Sequence, residues 1–252
     1  MDRPSHTNRR RADAFGLVAD DYHRFRPRYP RSLIVELVDR EDVRVLDVGA
    51  GTGIASVQLR DAGAEVLAVE PDARMAHVAA ANGIHVEQAT FEDWEPDDRS
   101  FDLVVSAQSF HWVQPHAALE KVATLLRPGG RLALLSNRIT PVSPARAKLD
   151  EAFADLLEQS ERWPVDAVHN DDLATTFESH GYSIERRQVL EPQHYAGDAW
   201  IDMVFTHSNV LTLDTRAQDE LRARLTRIVG AGGVDAENHA TVVIATPSAR
   251  AS

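Results

Sequence analysis

The chain has 252 residues, 43% of them hydrophobic, which suits one domain with insertions and a sizeable core. Its 27 basic and 39 acidic residues give a formal charge of −12, which argues against non-specific nucleic-acid binding. It contains no cysteine, so disulfides and thiolate metal sites are excluded, and no run approaches the roughly 20 apolar residues of a membrane helix.

Residues 1–12 are polar and basic, with Arg9, Arg10 and Arg11 in a row, and read as a flexible leader. They hold no apolar core of signal-peptide length, so a cytoplasmic protein is expected. In Ala14–Pro30, Phe15, Val18, Ala19 and Tyr22 fall at helical spacing. Arg26-Pro27-Arg28-Tyr29-Pro30 then breaks the helix, because each proline disfavours α geometry in the residue before it. Ser32–Asp39 reads as the first core helix, with Ser32 as N-cap and Leu33, Leu37 and Val38 facing inward.

Val45, Leu46 and Val48 form a short buried strand with Asp47 near its end. Gly49, Ala50, Gly51, Thr52 and Gly53 follow as a tight turn, and Ile54–Asp61 as a helix closed by Gly63. Strand, glycine-rich turn and helix open a nucleotide-binding βαβ unit, in which free N–H groups at the helix start meet polar ligand atoms. A dinucleotide site needs G-x-G-x-x-G/A. Position six is Ile54 counted from Gly49 and Ser56 counted from Gly51, so an NAD-dependent oxidoreductase is disfavoured.

Ala64–Val69 is the second strand and ends on Glu70, 17 residues past Gly53. Asp72–Ala81 is a helix, His85–Thr90 a short strand, and Phe101–Ala107 a nearly all-apolar strand buried on both faces. Gln108-Ser109-Phe110-His111-Trp112 lies at its carboxyl end, where doubly wound sheets bind ligands. Ala117–Leu126 is a helix, Arg127–Gly130 a turn and Arg131–Ser136 the fifth strand. Pro141 and Pro144 frame a loop, followed by helices over Ala145–Gln159 and Asp171–His180 and a sixth strand over Ile184–Leu190. Ala199–Val210 and Thr215–Val229 read as helices, and Thr241–Thr246 closes as the seventh strand. The expected architecture is α/β: a doubly wound, Rossmann-like seven-stranded sheet with an antiparallel last strand. Its parts are an N-terminal strap over 13–31, a core over 32–137, and helical cap insertions at about 138–170 and 195–235, with the last strand at 241–246.

The pattern D-x-G-x-G-x-G over 47–53 resembles motif I of the class I S-adenosylmethionine (SAM) methyltransferases. Y…RPxYP over 22–30, AQSFHWV over 107–113 and LLRPGGRLAL over 125–134 are similar to the trans-aconitate-methyltransferase-like branch, and the likeness covers 12–136 well. The resemblance implies SAM as cofactor and its demethylated product SAH. It places Asp47, Gly49, Ala50, Gly51, Thr52 and Gly53 around the methionine end, and Glu70 on the ribose hydroxyls. Two vicinal hydroxyls suit the two acceptor oxygens of one carboxylate. It sets Pro71 and Met75 beside the adenine, Tyr22 and Arg26 near the cofactor, and Gln108 at the amino-acid moiety. Thr90 and Phe91 offer a hydroxyl, backbone N–H groups and an aromatic ring to the adenine, whereas Trp94 reads as packing. Tyr29 and Trp112 fall to the acceptor side.

Methyl transfer is an in-line displacement, so placement of the reacting atoms supplies much of the rate. A carboxylate acceptor needs no base, whereas a hydroxyl benefits from one, and His111 is the candidate. The expected function is O-methylation of a small molecule, at a sugar or natural-product hydroxyl or a carboxylate. A small-metabolite N-methyltransferase and a non-catalytic SAM-binding regulator are the alternatives. No N-P-P-Y-like motif follows the fourth strand, which lowers the odds of a macromolecular amino acceptor. His169 within His169-Asn170-Asp171-Asp172 could ligate a metal, but a polar loop entering a helix is the commoner use, and no metal is expected. The expected partners are a small-molecule acceptor and at most a second copy of the chain, with neither nucleic acid nor membrane.

Overall fold

A computed structural model describes residues 15–158, 162 and 172–248. The leader 1–12 and the stretch from His169 to Asp171 lie outside them.

The apolar runs form a seven-stranded sheet in the order β3-β2-β1-β4-β5-β7-β6. Its strands are β1 (Arg44–Val48), β2 (Glu65–Val69), β3 (His85–Glu87), β4 (Phe101–Ala107), β5 (Leu126–Ser143), β6 (Tyr182–Tyr195) and β7 (Val234–Pro247). β1 to β5 pair in parallel, and β7 runs antiparallel to both β5 and β6. The expected doubly wound sheet with an antiparallel last strand is therefore what the chain forms. The order reverses at β1, between β2 and β4, and the glycine turn lies at the end of β1. That is the topological switch point, where such sheets bind ligands.

The helices are α1 (Ala19–Phe25), α2 (Arg31–Leu37), α3 (Ile54–Asp61), α4 (Ala73–Ala81), α5 (Pro115–Leu125), α6 (Arg146–Asp150), α7 (Asp172–Ser179), α8 (Gly197–Val204), α9 (Ser208–Leu211) and α10 (Thr215–Val229). One sheet face packs on α2 and α3 through Leu33, Leu37, Ile54 and Leu59. The other packs on α5 and α7 through Leu119, Val122, Leu173 and Phe177. A third core joins Leu149, Phe153, Trp200, Val204, Leu221 and Leu225 to Val234 and Ala236 of β7.

That third core exists because three strands outrun the sheet. β4 leaves β5 after the pair Ala107↔Leu135. β5 and β7 continue to Ser143↔Asp235, and β6 follows β7 to Tyr195↔Val234. The expected strands Arg131–Ser136, Ile184–Leu190 and Thr241–Thr246 are too short. Pro141 and Pro144 are expected to frame a loop, but proline is tolerated on edges and at bulges, and β5 runs through Pro141 as β6 runs through Pro192. β5 has no β4 partner at Pro141, the register shifts between Pro141 and Ser143, and β6 is the edge strand.

Four helix expectations are also corrected. The first core helix begins at Arg31, with Pro30 rather than Ser32 at the N-cap. The Pro30 carbonyl takes the N–H groups of Leu33 and Ile34, so no side-chain cap is needed. Ala145–Gln159 is not continuous: α6 tightens into a 3-10 turn over Glu151–Phe153, and Asp155 adopts a left-handed φ of 63°. Ala199–Val210 is split between α8 and α9, with Thr206 and His207 in the turn. The leading segment starts as a 3-10 turn over Phe15–Val18 before α1.

Phe153 is 1% exposed at the centre of the third core. Phe153→Ala should lower stability by about 3–5 kcal/mol, the usual cost of a buried aromatic and its cavity. Denaturant unfolding checks this, and a loss under 1 kcal/mol would mean that the third core is not closely packed.

Candidate functional site

The glycine turn is shaped by what approaches it. Gly49, Gly51 and Gly53 all have positive φ. A Cβ on Gly49 would lie 2.7 Å from Ser109 Cβ, so the close approach of β4's end demands glycine there. A Cβ on Gly51 would meet nothing within 4 Å, so that backbone faces open space and can meet a ligand. Ser109 fixes the approach: its Oγ lies 2.6 Å from the Val48 carbonyl oxygen, to which it donates, and 2.8 Å from Ser106 Oγ.

Two carboxylates lie beneath this turn. Asp47 is fully buried, and its Oδ2 accepts from Ser56 Oγ at 2.6 Å. Its Oδ1 has no partner, and neither does the buried Thr52 hydroxyl. Burial pushes the Asp47 carboxyl up to about 6, against the lowering effect of Ser56. Glu70 Oε2 accepts the Gly51 N–H at 2.7 Å, and Oε1 accepts the Asp72 N–H at 2.9 Å. Burial pushes Glu70 up to about 7, against those two backbone bonds. Asp72 in turn caps α4, accepting from the N–H groups of Arg74 and Met75.

The residues after β2 and β3 divide between surface and core. Pro71 is exposed and Met75 is buried. Thr90 Oγ1 donates to Asp93 Oδ2 and accepts the Asp93 N–H. Phe91 is 4% exposed and packs in the α5 core, with Lys121 Nζ over its ring and bonded to its carbonyl. Its ring belongs to the core cluster on that sheet face. Trp94 is buried too, as expected, with Nε1 on Glu87 Oε2.

The strap lies across this edge. Phe15 meets Tyr22 edge-on at 5.6 Å and Trp112 at 6.3 Å. Trp112 in turn lies 4.7 Å from the His111 ring, centroid to centroid. Gly16 crosses so near α4 that a Cβ there would lie 2.3 Å from the Asp72 carboxylate. His23 Nδ1 is 3.1 Å from the Thr52 carbonyl oxygen. Arg26 donates from Nε and Nη2 to the hydroxyl and carbonyl of Thr206, and stacks on Tyr22 at 4.8 Å. His207 lies beside it, and burial together with the Arg26 charge holds its imidazole well below the ordinary range. Tyr29 is buried in the α2–α3 core, its backbone N–H and carbonyl clamped by the Gln58 amide. Its side chain packs in that core and lies near enough to Arg26 to act on its charge. Gln108 follows β4 with a left-handed φ of 58°, and its side chain donates to the Asn137 carbonyl.

The structure thus gathers Asp47, Gly49–Gly53, Glu70 and Gln108 at one end of the sheet, with His111 and Trp112 beyond them and Tyr22 and Arg26 in the strap above. Ser56, Ser109, Gln58 and Asn137 escaped sequence reasoning. Asp72 showed a signal, an acid one residue before a helical run.

The turn fits SAM on its own features. A buried carboxylate oxygen without a donor suits an ammonium group, and an open glycine backbone suits close ligand approach. Glu70 keeps lone pairs for hydroxyl donors beyond its two backbone bonds. Among the described residues no group of three or more metal-ligating side chains occurs, and no helix is long and apolar enough to cross a membrane.

Residues 46–134 match the methyltransferase domain family model. An uncharacterized methyltransferase of Mycobacterium tuberculosis is 33% identical over 218 residues, covering 86% of this chain and 85% of its own. One of Schizosaccharomyces pombe is 25% identical, covering 83% of this chain and 84% of its own. The YcgJ protein of Bacillus subtilis shares the fold at a TM-score of 0.56 and 17% identity, covering 86% of this chain and 97% of that one. The [4+2]-cyclase SpnF does so at a TM-score of 0.53 and 17% identity, covering 86% and 80%. With a glycine turn, two buried carboxylates and a relative matched over most of both lengths, the chain belongs to the class I SAM-dependent methyltransferases.

Proposed function

We propose that this methyltransferase acts on an oxygen atom of a small molecule, a hydroxyl or a carboxylate. The observation that carries this reading is the covered ligand edge: the strap is tied at one side to the glycine turn by His23 and at the other to the α8–α9 turn by Arg26. An acceptor beneath such a cover is small. SAM supplies an electrophilic methyl on a positive sulfur, and the S–C electron pair leaves with the sulfur as the new O–C bond forms.

The chain's own residues divide the remaining work. Asp47 Oδ1 takes the ammonium, Glu70 the ribose hydroxyls, and the Gly51 backbone the closest approach. The rings of Phe15, Tyr22 and Trp112 keep water from the edge, which strengthens the polar contacts inside. His111, one turn after β4, accepts the proton of a hydroxyl acceptor through its imidazole, whose ordinary pKa near 6.5 suits that role. A carboxylate acceptor is already ionised and leaves His111 to shape the pocket.

Glu70→Ala should weaken SAH binding by about 1–3 kcal/mol, the cost of lost charged hydrogen bonds; unchanged affinity in calorimetry would remove Glu70 from the ribose. His111→Ala should lower turnover about 100-fold or more, with SAH affinity within a few-fold of the parent. Near-normal turnover would demote the imidazole to packing. An acceptor panel of sugars, carboxylic acids and hydroxylated metabolites sets the assay.

The buried acids give a pH signature of definite sign. Glu70 at about 7 and Asp47 at about 6 are both raised above ordinary carboxylates, so the folded state holds protons that the unfolded chain has already lost. The ligand-free protein's contribution from these groups is therefore fully present below about pH 4, where the unfolded chain is protonated too, and is lost as pH rises from there through 6 and 7. SAH binding runs the other way, because ionised carboxylates accept its donors better, so affinity should rise from about pH 6 to 8. Glu70→Gln should flatten both profiles, and an unaltered slope in melting temperature and affinity would contradict the assignment.

A further inference from the structure

We propose that Asn137 is a positioning residue that couples the seating of the N-terminal strap to the setting of Gln108 at the ligand edge. The inference rests on the methyltransferase reading only in taking Gln108 to face the ligand.

Asn137 stands where β5 parts from β4, just past the last paired residue, Leu135. Each of its polar groups but one is bound to a different part of the molecule. Its backbone carbonyl accepts from Gln108 Nε2 at 2.8 Å. Its Nδ2 donates to the carbonyls of Pro27 and Arg28, both at 3.2 Å. Its Oδ1 accepts from Asn238 Nδ2 of β7 at 3.1 Å, and Asn238 is fully buried. The amide can point only one way. Flipped, it would set an oxygen against two carbonyl oxygens and an NH2 against an NH2.

The other strap anchors behave differently. Gln58 holds Tyr29, Arg26 holds Thr206 and stacks on Tyr22, and the His23 ring meets the Thr52 carbonyl. Among the described residues these hydrogen bonds do not reach Gln108. The strap's exit is also poor in handles, because Pro27 and Pro30 have no N–H, so at Pro27 only the carbonyl is left for a partner to hold. Gln108 has an uncommon left-handed backbone, fixed by its N–H on the Leu135 carbonyl and by its side chain on the Asn137 carbonyl. A shift of β5 at residue 137 therefore moves the strap's exit and the Gln108 amide together.

Amide hydrogen exchange, read separately over 23–29 and 108–113, tests the coupling in the ligand-free protein and with SAH. Asn137→Asp keeps an acceptor for Asn238 but loses both donors to the strap; Asn137→Ala loses both functions. Both variants should exchange faster in the two segments and bind SAH about tenfold more weakly. Gln58→Ala should loosen the strap alone. Gln108→Ala provides a second approach if the Asn137 variants do not fold, since it touches no strap atom yet should speed exchange over 23–29. Faster exchange confined to the strap in Asn137→Asp, or an unchanged strap in Gln108→Ala, would overturn the coupling. Failure of the parent protein to bind SAH would instead strike the cofactor reading, and the ligand-free exchange arms would still decide the role of Asn137.

Discussion

The Glu70 carboxylate, held away from water by two backbone N–H groups, is the contact on which the ligand edge depends. It joins the glycine turn through Gly51 to the start of α4 through Asp72. Asp72 then caps that helix and lies under Gly16 of the strap. One buried acid thus sets the spacing between turn, helix and cover. A buried charge is costly unless its bonds are complete, and here they are complete only on the protein's side. The raised pKa measures that tension. In the role proposed for Glu70, a ligand that brings hydroxyl donors would relieve it.

The second constraint is the length of β5, β7 and β6. Past Leu135 the three strands form an arm beyond the rest of the sheet, and α6, α8 and α10 cover it with a core of their own. The strap bridges this arm and the glycine turn. Its fastenings come from four places: Thr206 in the α8–α9 turn, the Gln58 side chain on α3, the Thr52 carbonyl in the glycine turn, and the Asn137 side chain on β5. Each is a modest hydrogen bond, worth about 1 kcal/mol net in typical cases. A cover held by such bonds is secure in sum yet can release any one of them, as admission of a cofactor beneath it requires.

Local patterns in the sequence carried the nucleotide half of the molecule. D-x-G-x-G-x-G, the acid at Glu70 and the apolar β4 are short-range signals, and the structure places them together at the switch point. What could not be read was anything that depends on pairing between distant segments. Pro141 argues for a loop until one knows that β5 has lost its β4 neighbour there. The helix expected over 145–159 fails at Asp155, whose left-handed backbone no periodicity announces. The burial of Phe91 and Tyr29 left no local sign either, because aromatic residues near a glycine turn serve in cores and at ligands alike. Asn137 left no local trace: its partners Gln108, Pro27 and Asn238 lie 29 to 110 residues away.

The division of labour has a consequence for how acceptor choice is built. The nucleotide half is constrained atom by atom: a methyl on Gly49 strikes Ser109, and a methyl on Gly16 strikes Asp72. The arm and its helices form a separate core, so their outer and ligand-facing positions can change without disturbing the turn. The fold alone does not choose the chemistry, since a [4+2]-cyclase shares it at a TM-score of 0.53. On the reading proposed above, selection of an acceptor falls to the arm, the strap and the residues that tie them together. Asn137 is hydrogen-bonded to the strap, to β7 and to Gln108 after β4, and in the proposed coupling a change there alters the strap's exit and the setting of Gln108 in one step.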